Sequence, residues 1–319
     1  MAATHEHVRD FRHYALFYAD LEEYVRRTTE FLREGIAGGE PALVVIAPGK
    51  AALLREELGS DAEHVAFADM NDVGRNPARI IPAWQDFIDE HLAEGRPVRG
   101  IGEPIWAGRS EDELIECERH EALLNLAFAG SPEWHLLCPY DTGSLPDAVL
   151  EEARRNHPIL VEYGATRASE ACRGLVDIAR PFAAPLPLVP GAASSFRLED
   201  GSLDALRRFV TEGAEREGLA DRVSSFALAV HELATNSLRH GGGRADVRLW
   251  STSGAVVCEV RDAGRIEDPL IGRVRPDNER EGGWGVWIAN QLCDLVQVRA
   301  TAEGTVVRVH MASPRVLLD

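Results

Sequence analysis

Apolar and polar positions follow two alternating rhythms in the first half of the chain. Short apolar runs suit strands buried on both faces: LVVIA (Leu43–Ala47), HVAFA near Val65, PVRGIGE near Val98 and WHLLCPY near Leu136. Between them, apolar residues recur at helical spacing over Leu21–Ile36, Ala51–Leu58, Pro77–Leu92, Asp112–Phe128 and Leu145–Arg155. This βαβα order predicts an α/β domain, an open and mainly parallel sheet covered by helices.

The second half changes rhythm. LDALRRFVTEGAEREG places Leu203, Leu206, Val210 and Ala214 at helical spacing, and a second helix is predicted from about Asp221 to Arg239. Strands ADVRLW and AVVCEVRD follow, separated by the turn STSG; WGVWIANQLCD then reads as a helix and VQVRAT–AEG–TVVRVHM as a hairpin. Helices on one side of a mixed, mainly antiparallel sheet make an α+β sandwich. Between the halves lies AAPLPLVPGAAS (Ala183–Ser194), with three prolines and no charge, which reads as a stiff linker. The expected organisation is a domain over 1–182, a linker over 183–193 and a second domain over 194–319.

Composition adds limits. A chain of 319 residues, 45% hydrophobic, has room for two cores and is not a disordered polypeptide. No apolar run approaches the roughly 20 residues of a bilayer span, and MAATHEHVRD carries no signal-peptide core, so a cytoplasmic protein without membrane contact is expected. The net charge of −18 is uneven, −15 over residues 1–182 and −3 beyond, which disfavours direct nucleic-acid binding. Lys50 is the sole lysine, so a phosphate site in the second half must use arginine, backbone amides or a metal. Five cysteines without a CxxC pair argue against a disulfide framework or a zinc knuckle.

Three separated motifs in the second half converge on one chemistry. In HELATNSLRHGGG, Glu232 and Asn236 stand one helical turn apart, so a carboxylate can polarise a hydroxyl beside an amide oxygen that suits magnesium. Asp262-Ala263-Gly264 ends a strand, where a carboxylate can accept the amino group of adenine. Glu281-Gly282-Gly283-Trp284-Gly285 opens a helix, and glycines there let backbone amides face phosphate.

As a set, these motifs resemble the N box and the two glycine boxes of the GHKL ATPases. Within that superfamily the second half is most similar to anti-sigma-factor serine kinases of the RsbW type, through Asp268-Pro269 and the GTxVxV ending at Gly304–Val309. The resemblance implies a Bergerat-type sandwich over about Ser194–Met311 that binds ATP or ADP with magnesium. It assigns Glu232 as general base, Asn236 as magnesium ligand and Asp262 with Gly264 as the adenine contact. Gly282, Gly283, Gly285 and Thr305 belong to nucleotide binding, under a lid over Arg265–Gly282 in which Arg273, Arg275 and Arg280 could meet phosphate. Its implied partners are a sigma factor and an anti-anti-sigma protein of the STAS type, and it leaves a homodimer open. Two departures stand out: Ile266 replaces a usual glycine, and Trp284 and Trp287 replace smaller or charged residues.

HELATN also mimics the HELxTP phosphoacceptor box of histidine kinases. Asn236 replaces the proline, and only about 80 residues follow, too few for a second N box. A rival of another class remains, a nucleotide-responsive docking module without transfer activity.

The first half resembles the MEDS sensory domain, regarded as a degenerate relative of RecA-like domains. The resemblance rests on the segment from His13 to Ala47, Val98–Trp106, Glu116–Asn125, Leu137–Asp141 and His157-Pro158. With the second half it suggests an RsbA-like regulatory protein whose kinase is controlled by a sensor. No P-loop survives, since Ala47-Pro-Gly-Lys50 lacks the spacing, and Lys50 reads as a helix-start charge. Tyr18, Glu103, Trp106, Glu121, Tyr140 and Asp141 fall near predicted strand ends, where α/β sheets hold small ligands. His5, His7 and His13 read as a polar N-terminal tail.

Overall fold

The computed structural model describes residues 11–91, 95–178, 185–252, 254–276 and 283–313. They form two compact units that part after Ile178.

The first unit runs β1 (Phe11–Tyr18), α1 (Leu21–Ala37), β2 (Ala42–Ile46), α2 (Pro48–Leu58), β3 (Val65–Asp69), α3 (Met70–Val73), α4 (Ile80–His91), β4 (Val98–Gly102), α5 (Glu111–Ala127), β5 (Trp134–Asp141), α6 (Asp147–Asn156), β6 (Ile159–Glu162), β7 (Ala165–Ala168) and α7 (Leu175–Ile178). Its sheet has the order β3-β2-β4-β5-β1-β6-β7. Every pairing is parallel except β6 with β7. Local chemistry starts the helices where expected. Asp20 accepts from the Glu23 amide to open α1, and Ser110 with Glu113 makes a capping box on α5. The periodicity over Pro77–Leu92 resolves into a short 3-10 turn, Pro77–Arg79, before α4.

Three strands of this unit, β1, β6 and β7, fall outside the predicted strand runs. β1 is an interior strand, between β5 and β6, although its sequence FRHYALFY carries Arg12 and His13 near its start. His13, expected in a tail, is 1% exposed there. Gly100 in β4 makes room for α4: a Cβ at that position would lie 2.9 Å from the Trp84 ring.

The second unit runs β8 (Ser194–Glu199), α8 (Leu203–Arg216), α9 (Val223–His240), β9 (Arg244–Ser251), β10 (Ala255–Asp262), α10 (Trp284–Leu292), β11 (Leu295–Thr301) and β12 (Gly304–Ala312). The described strands make a wholly antiparallel sheet, β11-β12-β10-β9-β8, rather than a mixed one. Leu206 and Val210 of α8, Phe226, Val230 and Leu233 of α9, and Val286 and Ala289 of α10 share one core with Val247, Val256 and Val309 of the sheet. The proline-rich segment is not a bare tether on this side. The Pro187 carbonyl accepts from Arg308 at 2.8 Å, and Arg308 pairs with buried Glu259 at 2.7 Å.

Candidate functional site

α9 carries Glu232 and Asn236 one turn apart, and Asp262 closes β10 beside it. The sheet register sets Asp262 opposite Ala245 on one side and Thr305 on the other. Both oxygens of its carboxylate are held. Ser237 Oγ donates to Oδ2 at 2.5 Å, and the Gly264 amide donates to Oδ1 at 2.7 Å. Thr305 Oγ1 donates to the Gly264 carbonyl at 2.9 Å, so Thr305 fixes the turn that presents Asp262.

Glycines let these segments approach. A Cβ on Gly241, which ends α9, would lie 2.5 Å from Asp262 Cγ, and one on Gly264 would lie 2.8 Å from the His240 carbonyl oxygen. Gly304 has φ +134°, and a Cβ there would meet the Asp262 carbonyl oxygen.

Asn236, Asp262, Gly264, Gly283 and Thr305 line one cavity of about 360 Å³. Its apolar wall includes Leu233, Val260, Ile266 and Val286. Ile266 therefore supplies wall surface where a glycine was expected. Gly283, at φ +88°, precedes α10, and the Trp287 amide returns to its carbonyl at 3.0 Å. The first-turn amides of α10 are left without intrahelical acceptors, an arrangement that favours an anion.

The remaining sequence candidates distribute differently. Gly285 packs α10 onto α9: a Cβ there would lie 2.3 Å from Asn236 Nδ2 and 3.1 Å from the Glu232 carbonyl oxygen. Glu232 is half-buried on α9 and does not line the cavity. Arg273 is buried rather than offered to phosphate, while Arg275 is exposed and off the cavity wall. Gly282, Arg280 and the end of the expected lid lie outside the described residues. Trp284 is exposed and does not narrow the cavity, whereas Trp287 is buried. Sequence reasoning passed over Ser237, which lines the cavity, as does Arg265 at the start of the expected lid. Ser237 stands four residues after Leu233, on the inward face of α9, and that spacing was the available signal.

In the first unit, the candidate ligand residues split into two clusters. Lys50 is more than a helix-start charge. Its ammonium donates to Glu103 Oε1 at 2.5 Å and to the Tyr18 hydroxyl at 2.7 Å, and lies 4.5 Å from the Tyr24 ring centroid. Burial raises the Glu103 carboxyl, while the Lys50 charge works against that rise. Glu121 and Tyr140 sit elsewhere, beside His157. Asp141 caps a turn through the Gly143 amide, and Trp106 stacks on Arg109.

Comparison with known proteins agrees with this division. Residues 12–158 match the family model of MEDS, the methanogen/methylotroph, DcmR sensory domain, and residues 196–311 match that of the histidine kinase-like ATPase domain. The chain is therefore a MEDS domain followed by a histidine kinase-like ATPase domain of the GHKL kind, whose ligand class is ATP or ADP. Among solved structures, the RsbU and RsbW domains of Rv1364c from Mycobacterium tuberculosis align at 19% identity with a TM-score of 0.30. That alignment covers 40% of this chain and 34% of the other, so it spans about a third of that structure. No curated protein matches the chain. Among the described residues, no helix is long and apolar enough to cross a membrane.

Proposed function

We propose that the second domain transfers the γ-phosphoryl group of ATP to a serine or threonine of an anti-anti-sigma protein of the STAS type. The same chain restrains a sigma factor, and the MEDS domain sets the balance between the two states. The observation that carries this reading is the juxtaposition of Asn236, Asp262 and Gly283 around one cavity, with Glu232 one turn before Asn236.

The residues fit a magnesium nucleotide. Asp262, braced by Ser237 and Gly264, accepts the adenine amino group. The first turn of α10 receives phosphate oxygens. Asn236 Oδ1 is a hard oxygen suited to magnesium, which when bound neutralises charge on the phosphates. Glu232 takes the proton of the acceptor hydroxyl as that oxygen bonds to the γ-phosphorus and ADP leaves. Contact between Pro187 and Arg308 gives the linker a hold on the ATPase sheet, which supports control from the first domain.

The position of Glu232 off the cavity wall favours a second reading, a nucleotide-responsive docking module without transfer. Incubating the full chain with ATP and a purified STAS-type antagonist separates the two. The kinase reading expects phosphoserine or phosphothreonine on the antagonist, lost in Glu232→Ala while ADP affinity stays unchanged. Transfer at the same rate by Glu232→Ala removes Glu232 as base, and no transfer by the wild type supports the docking module.

A further inference from the structure

The MEDS domain buries a cluster that the nucleotide chemistry does not use. His13 of β1, Glu121 of α5, Cys138 of β5 and His157, just before β6, bring their donor atoms within 4.8 Å of one another. All four residues are buried. Parallel pairing of Ala15 with Cys138 puts His13, two residues earlier on β1, on the same face as the thiol. Glu121 Oε2 lies 3.1 Å from His13 Nε2 and 3.2 Å from His157 Nε2, and Cys138 Sγ lies 3.4 Å from His13 Nε2.

The outer hydrogen bonds decide which ring nitrogens carry protons. His157 Nδ1 faces the Ala153 carbonyl at 2.8 Å and must donate to it. Asn125 Nδ2 donates to the Asn156 carbonyl at 2.7 Å, which turns Asn125 Oδ1 toward His13 Nδ1 at 3.2 Å as an acceptor. In the neutral tautomers, both Nε2 lone pairs therefore point at the Glu121 carboxylate. Among the described residues, His157 Nε2 and Glu121 Oε1 have no hydrogen-bond partner. Two lone pairs, a carboxylate and a thiol thus converge on one point.

We infer that His13, Glu121, Cys138 and His157 form a closed four-coordinate site for a divalent transition metal of the zinc type. Tetrahedral bonds of about 2.0–2.3 Å place neighbouring donors roughly 3.3–3.8 Å apart, close to the shorter separations in this cluster. Binding releases the Cys138 proton to solvent. The thiolate and Glu121 then balance the two positive charges, leaving a neutral buried site. The Nδ1 donations to Ala153 and Asn125 are the outer contacts that metal-bound histidines make. The site ties together β1, β5, α5 and the turn after α6, so metal occupancy can set the order of the sensory domain.

The test uses the full chain, stripped of metal by a chelator and titrated with cobalt(II). The expected result is tetrahedral visible bands plus a near-ultraviolet sulfur-to-cobalt band, saturating at a single cobalt per chain and abolished by zinc. Asn125→Ala should keep that spectrum with affinity lowered about 10–100-fold. Cys138→Ser, checked for folding by circular dichroism, should lose the near-ultraviolet band. A combined His5→Gln, His7→Gln and Cys172→Ser variant should keep it. A wild type without the sulfur-to-cobalt band overturns the site and leaves a proton shared between imidazole and carboxylate. Loss of the band in the combined variant, or its survival in folded Cys138→Ser, overturns it as well.

Discussion

The hydroxyl of Ser237 donates to the carboxylate of Asp262 at 2.5 Å across 25 residues of chain. This bond joins α9 to the end of β10, and it fixes the direction in which the carboxylate points. Asp262 is therefore a positioned acceptor rather than a mobile surface acid.

Asp262→Asn should weaken ATP and ADP binding by about 1.5–3 kcal/mol, the worth of a hydrogen bond to a charged group. The amide keeps the Gly264 N–H through its Oδ1, and its Nδ2 then donates to Ser237 Oγ, reversing that bond. Calorimetric titration of both nucleotides checks this. Equal affinities for the wild type and the variant would remove the adenine assignment.

Gly285→Ala tests the seat of α10. The added Cβ meets Asn236 Nδ2 at 2.3 Å and the Glu232 carbonyl oxygen at 3.1 Å, and only the former can swing away. The expected cost is about 1–3 kcal/mol of domain stability, as for an overpacked core. Nucleotide affinity should fall with it, because Asn236 is displaced. Thermal melts with and without ADP report both effects.

Lys50→Met leaves the Glu103 carboxylate, 5% exposed, without its cation. Breaking such a pair by removing one partner costs about 3–5 kcal/mol when fully buried, and less here because Lys50 is one quarter exposed. Glu103→Gln in the same chain should recover part of the loss. Urea unfolding of the two single variants and the double variant gives the coupling, and a strictly additive double variant would deny the interaction.

Glu118 supplies a pH signature. Burial, and then the charge of Glu152, raises its carboxyl from 4.5 to about 7, against the pull of Arg173. The folded state thus binds a proton that the unfolded chain has released between these values, so this contribution is present below about pH 4.5 and is lost as pH rises to about 7. Because the side chain is partly solvated, a discounted effect of about 1–2 kcal/mol is expected. Glu118→Gln should be more stable than the wild type at pH 8 and should flatten that part of the stability profile. Denaturant midpoints at pH 5 and pH 8 measure the difference.

Much of this protein is legible along the chain. Strand runs such as LVVIA, the capping residues Asp20 and Ser110, and the order of Glu232, Asn236, Asp262 and Gly283 are local signals. Side-chain period and backbone conformation act over a few residues, so such patterns survive without knowledge of the fold. Tertiary structure alone decided the rest. β1 becomes an interior strand of its sheet through pairing with β5 and β6, and that pairing takes His13 out of an apparent tail and into the core. Lys50 and Glu103 meet across 53 residues, and His13 and Cys138 across 125. Burying a polar side chain is tolerable only when distant partners arrive to satisfy it, and strand order, not local sequence, determines which partners arrive.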